Sequence, residues 1–191
     1  MSLRGRLLRA LHPKHPLLEG NQIDLLCNGA EYFPALLAAI SQAQQSIRLE
    51  TYLYADDAMG AAVTAALCHA AIRGVDVRVV VDGFGARNLD QRHRPQLEAA
   101  GVQVRIFRPE HRLLQHLLAR QRARLRRMHR KLVLIDGSVA FAGGINIIDD
   151  ATDNPAPIRM DFAVRIAGPL IGPIAQAIDH QWLMLTRLDW L

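Results

Sequence analysis

A histidine, a lysine and an asparagine recur in this chain at a spacing that suits work on a phosphate. In the run from Met128 to Asn146, His129 and Lys131 stand two residues apart, and Asp136-Gly137 separates two β-rich stretches. Asp-Gly between such stretches signals a two-residue hairpin. A turn of that kind sets Ile135 opposite Ser138, Lys131 opposite Ala142 and His129 opposite Gly144. Cross-strand partners share a face and faces alternate with period two, so His129, Lys131 and Asn146 are expected on one side. The residues beside them, Ala142 and Gly144, are small, and the expectation is an open floor where a ligand approaches the backbone, with Gly143 and Gly144 as substrate-binding positions. Register decides the matter, because a slip of one residue would send Asn146 to the opposite face.

The chemistry of such a face is definite. Lys131 supplies charge and three donors, and Asn146 supplies two more. His129 can attack phosphorus or carry a proton near neutral pH. An ammonium repels a divalent cation, so neither a metal nor a cofactor is expected. Asp136 lies roughly 20 Å from His129 along an extended strand and cannot share a proton with it, so its expected job is the hairpin turn.

The elements that must hold these residues alternate between two periods. Gln22 to Cys27 reads as a strand, Asn28-Gly29 as a turn, and Tyr32, Phe33, Leu36, Leu37, Ile40 and Ala43 recur at helical period. Ser46 to Tyr54 is β-rich, Ala58 to Arg73 is an Ala-rich helix stopped by Gly74, and Val75 to Val81 is a strand ending in Asp82-Gly83. A short helix over Arg94 to Ala100 is stopped by Gly101, and strands follow over Val102 to Phe107, around Asp136-Gly137 and over Phe162 to Ile166. Gly168-Pro169 opens a last helix toward Trp182. This order predicts an α/β domain on a largely buried sheet, spanning 19–191 behind a basic segment over 1–18.

The 191 residues, half of them hydrophobic, suffice for one domain with a real core. No apolar run approaches the ~20 residues that cross a bilayer, and no secretory signal opens the chain. Cys27 and Cys68 form no CxxC pair and read as buried free thiols in a reducing setting. The net charge of +5 is local: from His111 to Lys131 there are eight Arg or Lys and no acid. Within that stretch Arg122, Arg124 and Arg126 alternate with apolar or uncharged neighbours, downstream of Leu113, Leu114, Leu117 and Leu118. A solvated helix face, an anionic-lipid site and a nucleic-acid patch all fit. Leucines rather than aromatics separate the charges, which favours the lipid surface, since single-strand binders use aromatic stacking.

Taken together, His129, Lys131, Asp136, Gly143, Gly144 and Asn146 match H-x-K-x4-D-x6-G-G-x-N at every fixed position, and on this the chain resembles the phospholipase D superfamily. Leu49 to Tyr52, Val80 to Gly83 and Asp161 to Pro169 look like further landmarks of it. Arg127-Met128-His129-Arg130-Lys131 resembles in particular the bacterial cardiolipin synthases, of the shorter kind without N-terminal membrane spans. The resemblance implies a mixed sheet flanked by helices on both faces. It implies cofactor-free phosphatidyl transfer from a phosphatidylglycerol-like lipid through a phosphohistidine, with His129, Lys131, Asp136, Asn146 and Asp161 as catalytic positions. Asp161 would hold the histidine ring in the way a triad aspartate does. Its plain alternative is a surface ion pair with Arg159 or Arg165.

The superfamily's sites use two such motifs and this sequence has one. A second half, from a longer chain or from a homodimer, is therefore an expected partner. The ending after Trp182, with no helix stop, reads as a cut. The expected place is peripheral, on the cytoplasmic face of the bacterial inner membrane, with no specific nucleic acid bound. A nuclease acting as a homodimer and a catalytically silent pairing module stay open as alternatives. Glu50 and Asp82 read as strand-end residues without a role in the chemistry.

Overall fold

The computed structural model describes residues 18–86, 89–108, 127–149 and 160–188. Seven strands form one sheet: β1 (Gln22–Cys27), β2 (Ser46–Thr51), β3 (Asp76–Asp82), β4 (Gln103–Phe107), β5 (Leu132–Ile135), β6 (Val139–Gly143) and β7 (Phe162–Ala167). Four helices accompany them: α1 (Asn28–Gln42), α2 (Ala58–Ile72), α3 (Leu89–Ala99) and α4 (Ile171–Leu188). The spatial order is β1-β7-β6-β5-β2-β3-β4. β2, β3 and β4 run parallel, and every other neighbouring pair is antiparallel. The expected mixed α/β sheet with helices on both faces is what forms.

Burial explains the layers. Tyr32, Phe33, Leu36 and Ile40 form one stripe of α1, and Val63, Leu67 and Ala70 one stripe of α2. These close on Ile47, Leu49, Val77, Val79, Val133, Ile135 and Phe141 from one sheet face. The other face sends Leu134, Ala140 and Ile166 against Ile171 and Ile178 of α4. The interior strand β3 is buried on both faces, hence its near-continuous run of valines. Asp57 caps α2 by accepting the Gly60 amide at 2.8 Å, a bond worth about 1 kcal/mol.

Three expectations are corrected. Asn28 and Gly29 begin α1 rather than forming a turn. The third helix starts at Leu89, five residues before the expected Arg94. Leu89, His93 and Leu97 are its buried stripe, and a histidine at the middle position hides the apolar period. Cys27 and Cys68 are free but only half-buried.

The hairpin departs by one residue. Asp136 and Gly137 take positive φ of 50° and 58°, and the Ser138 amide donates to the Ile135 carbonyl at 3.0 Å. Positive φ at both central positions is the turn expected for Asp-Gly. Yet Ile135 pairs with Val139, not Ser138, which is left over as an extra residue at the turn. Leu132 therefore pairs with Ala142, and Lys131 faces Gly143, whose amide donates to the Lys131 carbonyl at 3.2 Å.

Asp136 does keep its expected post. Its carboxylate accepts the amides of Gln44 (2.9 Å), Gln45 (2.8 Å) and Ser46 (2.8 Å), tying the hairpin to the entry of β2. Burial would raise its pKa, but the amide bonds from Ser46, Gln44 and Gln45 together outweigh that and hold it below the ordinary value. An Asp with a depressed folded pKa contributes stability above its unfolded pKa, and loses it as pH falls through the folded one. Asp136→Asn should thus cost about 1–3 kcal/mol at neutral pH, in line with hydrogen bonds to a charged group. Urea melts should show the gap closing below pH 3.8, the ordinary aspartate value. An unchanged gap in acid would contradict this role.

Candidate active site

The sheet topology collects the motif at one edge. β5 runs antiparallel to β2, so the entry to β5 lies beside the exits of β2 and β3. β6 and β7 alternate again, bringing Gly143 and Phe162 to the same edge. The winding reverses here, with β3 and β4 on one side of β2 and β5, β6, β7 and β1 on the other. In open α/β sheets such a switch point leaves a crevice at the strand ends.

His129 is exposed in the segment leading into β5, and its ring rests on Tyr52 with centroids 4.8 Å apart. Lys131 is 8% exposed. Its Nζ donates to the His129 carbonyl at 3.2 Å and lies 5.1 Å above the Tyr52 ring. Burial lowers the pKa of this ammonium, and the charge of Asp161 partly offsets the effect. A desolvated cation beside an exposed imidazole is a place where a phosphate's charge is strongly felt. Asn146 reaches the same edge although the register slipped. β6 stops at Gly143, so strict alternation no longer applies, and Asn146 Oδ1 accepts the Leu53 amide at 3.0 Å. The two amide hydrogens are the donors it has left.

Asp161 is fixed by its backbone. The Asn28 amide donates to its carbonyl at 2.8 Å, and its own amide donates to Asn28 Oδ1 at 2.9 Å. Its Oδ1 accepts the Phe162 amide at 2.8 Å. It makes no hydrogen bond to His129, and its charge acts on Lys131.

The glycines need a correction. A Cβ on Gly143 would overlap Phe162 O and the backbone of Ala163, and a Cβ on Gly144 would overlap Asp161 Oδ1 and sit 2.9 Å from its Cγ. The expected open floor is therefore occupied: β7 and the Asp161 carboxylate fill the space that missing side chains leave. Ala142 lies on the other face, packed with the α4 cluster.

Asp136 stands at the far end of β5, about 16 Å from Lys131 at ~3.3 Å per strand residue, and does not join the others. Arg122, Arg124 and Arg126 lie outside the described residues, as do His111, His116 and the basic segment 1–17.

Several residues at this edge were missed. Tyr52 touches both His129 and Lys131, and its signal was the Thr-Tyr at a strand exit in a chain with three tyrosines. Asp82, wholly buried, accepts the Met128 amide at 2.9 Å and the Phe84 amide at 2.9 Å. Glu50, 1% exposed, lies 3.0 Å from Arg130 Nε. Burial pushes its pKa up to about 7 against the opposing charge of Arg130. Neither residue is a mere strand end.

Comparison with known proteins bears on the family and the fold. Residues 36–182 match the family described as cardiolipin synthase, PLD-like domain. The chain is 43% identical over 159 residues to cardiolipin synthase B of Salmonella typhi, covering 83% of this chain and 38% of that protein. It thus spans well under half the length of that relative. Two solved structures share the fold. The phospholipase D family member Nuc from Salmonella typhimurium has a TM-score of 0.60 at 20% identity, covering 85% of this chain and 95% of that one. NucT from Helicobacter pylori has a TM-score of 0.61 at 17% identity, covering 87% and 97%.

Proposed function

Because the chain belongs to the phospholipase D-like domain family of the cardiolipin synthases, we propose that it forms one half of a phosphatidyl-transfer site acting through a phosphohistidine on His129. The observation that carries this is the exposed His129 ring beside the desolvated Lys131 ammonium. A ring nitrogen of His129 attacks the phosphorus of a phosphatidylglycerol-like lipid. The bond from phosphorus to the headgroup alcohol breaks, and that alcohol leaves with a proton. The alcohol of a second lipid then attacks the phosphohistidine, gives up its proton and frees the ring. Lys131 and the Asn146 amide hold the phosphoryl oxygens as charge moves through them.

One acid and one nucleophile must act at once, and this chain has one copy of the full H-x-K-x4-D-x6-G-G-x-N motif. The second comes from another half, in the same longer polypeptide or in a second copy. The relative's greater length favours the longer polypeptide. Among the described residues no helix is long and apolar enough to cross a membrane, so the lipid is proposed to be met at the bilayer surface, on its cytoplasmic side.

The test is to incubate the protein with phosphatidylglycerol vesicles, quench quickly and look for a phosphatidyl adduct on His129 by mass spectrometry, with chelator present throughout. An acid-labile adduct with chelator present supports the reading. Absence of adduct beside cleavage of DNA promotes the nuclease. Activity that needs zinc or magnesium overturns the metal-free route.

A further inference from the structure

His129 belongs to no strand: residues 127–130 precede β5, and something else must hold them. Two carboxylates do so from below. Met128 donates its amide to Asp82 Oδ2 at 2.9 Å and buries its side chain with Val80 and Leu185, while Arg127 comes within 3.7 Å of Asp82 Oδ1. On the other flank, Arg130 Nε lies 3.0 Å from Glu50 Oε2. Glu50 is the register partner of Val80, and Asp82 is the next residue on that face of β3. The two acids are thus neighbours on one face of two adjacent strands. The contacts divide accordingly: the Met128 amide and Arg130 meet the two carboxylates, and His129 and Lys131 meet Tyr52.

Taking His129 as the attacking residue, as proposed above, we infer that Glu50 is a positioning residue for it, holding Arg130 so that the imidazole between the two anchored neighbours keeps its place on Tyr52. The Glu50 carboxylate is buried, and neither oxygen accepts a hydrogen bond among the described residues. A buried charge without hydrogen bonds costs stability that an amide or apolar group would not. Among the described residues, its ion-pair partner is Arg130, the residue between His129 and Lys131.

The rest of that face is committed elsewhere. Arg48 pairs with Asp76, Arg78 and Arg105 stack on Trp182 of α4, and Asp82 is held by Met128 and Arg127. On α4, Asp179 and His180 are exposed, and Trp182 and Leu185 face Val80 and Met128. Arg130 is the charge that acts on Glu50. With its pKa near 7, Glu50 is charged and grips Arg130 on the alkaline side, and releases it on the acid side.

The experiment follows the His129 ring by NMR in histidine-labelled full chain, assigned with a His129→Gln sample, and needs no substrate. The wild-type ring should report the titration of Glu50 as an inflection near pH 7, along with contacts to Tyr52. Glu50→Gln should remove that inflection and weaken the Tyr52 contacts, while the chain melts no lower than wild type above pH 7. Arg130→Lys, at a half-exposed position, should also weaken the Tyr52 contacts and serves if Glu50→Gln fails to fold. In active preparations Glu50→Gln should lower kcat 10- to 100-fold with KM little changed. An unaltered His129 titration and unaltered Tyr52 contacts in the folded variants would overturn the inference. Those signals stand apart from phosphatidyl transfer, so failure of the proposed reaction leaves them readable.

Discussion

His129→Ala is expected to yield a folded chain that transfers no phosphatidyl group. The ring is exposed and its ring contact is a tilted one with Tyr52, so the fold loses about 0.5–1.5 kcal/mol at most. On the proposed mechanism the reaction loses its nucleophile. No other side chain at this edge substitutes for it, because Lys131 is held at the His129 carbonyl and Asn146 is not nucleophilic. Removal of a covalent nucleophile in comparable enzymes costs on the order of 10⁴–10⁶ in rate. Melting temperature and the rate of labelled headgroup exchange, measured on one preparation, check this. Product at the wild-type rate from a normally folded variant would remove His129 from the mechanism.

The second large effect comes from a single methyl group. Gly144→Ala should lower the rate by about 10²–10³, the scale on which ~1 Å misplacements of a site act. The new Cβ overlaps Asp161 Oδ1, and neither backbone can yield cheaply. Gly144 donates to Phe162 O at 2.9 Å, while Asp161 is held on both sides by Asn28. The carboxylate must therefore turn away. Its charge now supports the Lys131 ammonium, and moving it off lets the Lys131 pKa fall further. Two measurements check this: kcat under saturating lipid, and the pH at which activity declines on the alkaline side, which should move down. Asp161→Asn is the matched control, removing the charge without the clash, and should shift the alkaline limb the same way. Full activity of Gly144→Ala would mean that the Asp161 position does not matter.

The motif was readable because its chemistry is local. His129, Lys131 and Asn146 announce themselves by type and spacing, and the strand-helix order followed from period and punctuation, as with the valines of β3 and the helix stops at Gly74 and Gly101. Other features depend on what lies across space. The hairpin signal gave the turn residues correctly, but the extra Ser138 that shifts the register has no mark in composition. In sequence Gly143 and Gly144 read as room for a ligand, and only the approach of β7 and Asp161 reveals that protein fills that room. Asn28 looked like a turn residue. Its φ of 57° is turn-like, yet its purpose is to grip Asp161, 133 positions away. Glu50 and Asp82 were passed over because acids at strand exits are usually solvated, and burial is invisible until the sheet is assembled.

The pairing of β1 with β7 bears on when the protein can first work. Among the described residues, β1, the strand nearest the N-terminus, pairs only with β7, joined by Gln22 to Ala167 and Cys27 to Phe162. Contacts of such sequence separation form late, since a long loop must close before they reward it. During synthesis, β2, β3 and their helices can settle while β1 waits at an open edge. The grip of Asn28 on Asp161 closes with that last pairing. A nascent or clipped chain lacking β7 would carry His129 and Lys131 without the carboxylate that supports them. On the proposed function, the Asp161 support of Lys131 is in this way tied to the pairing of β1 with β7, and the site is kept chemically quiet until those two strands have met.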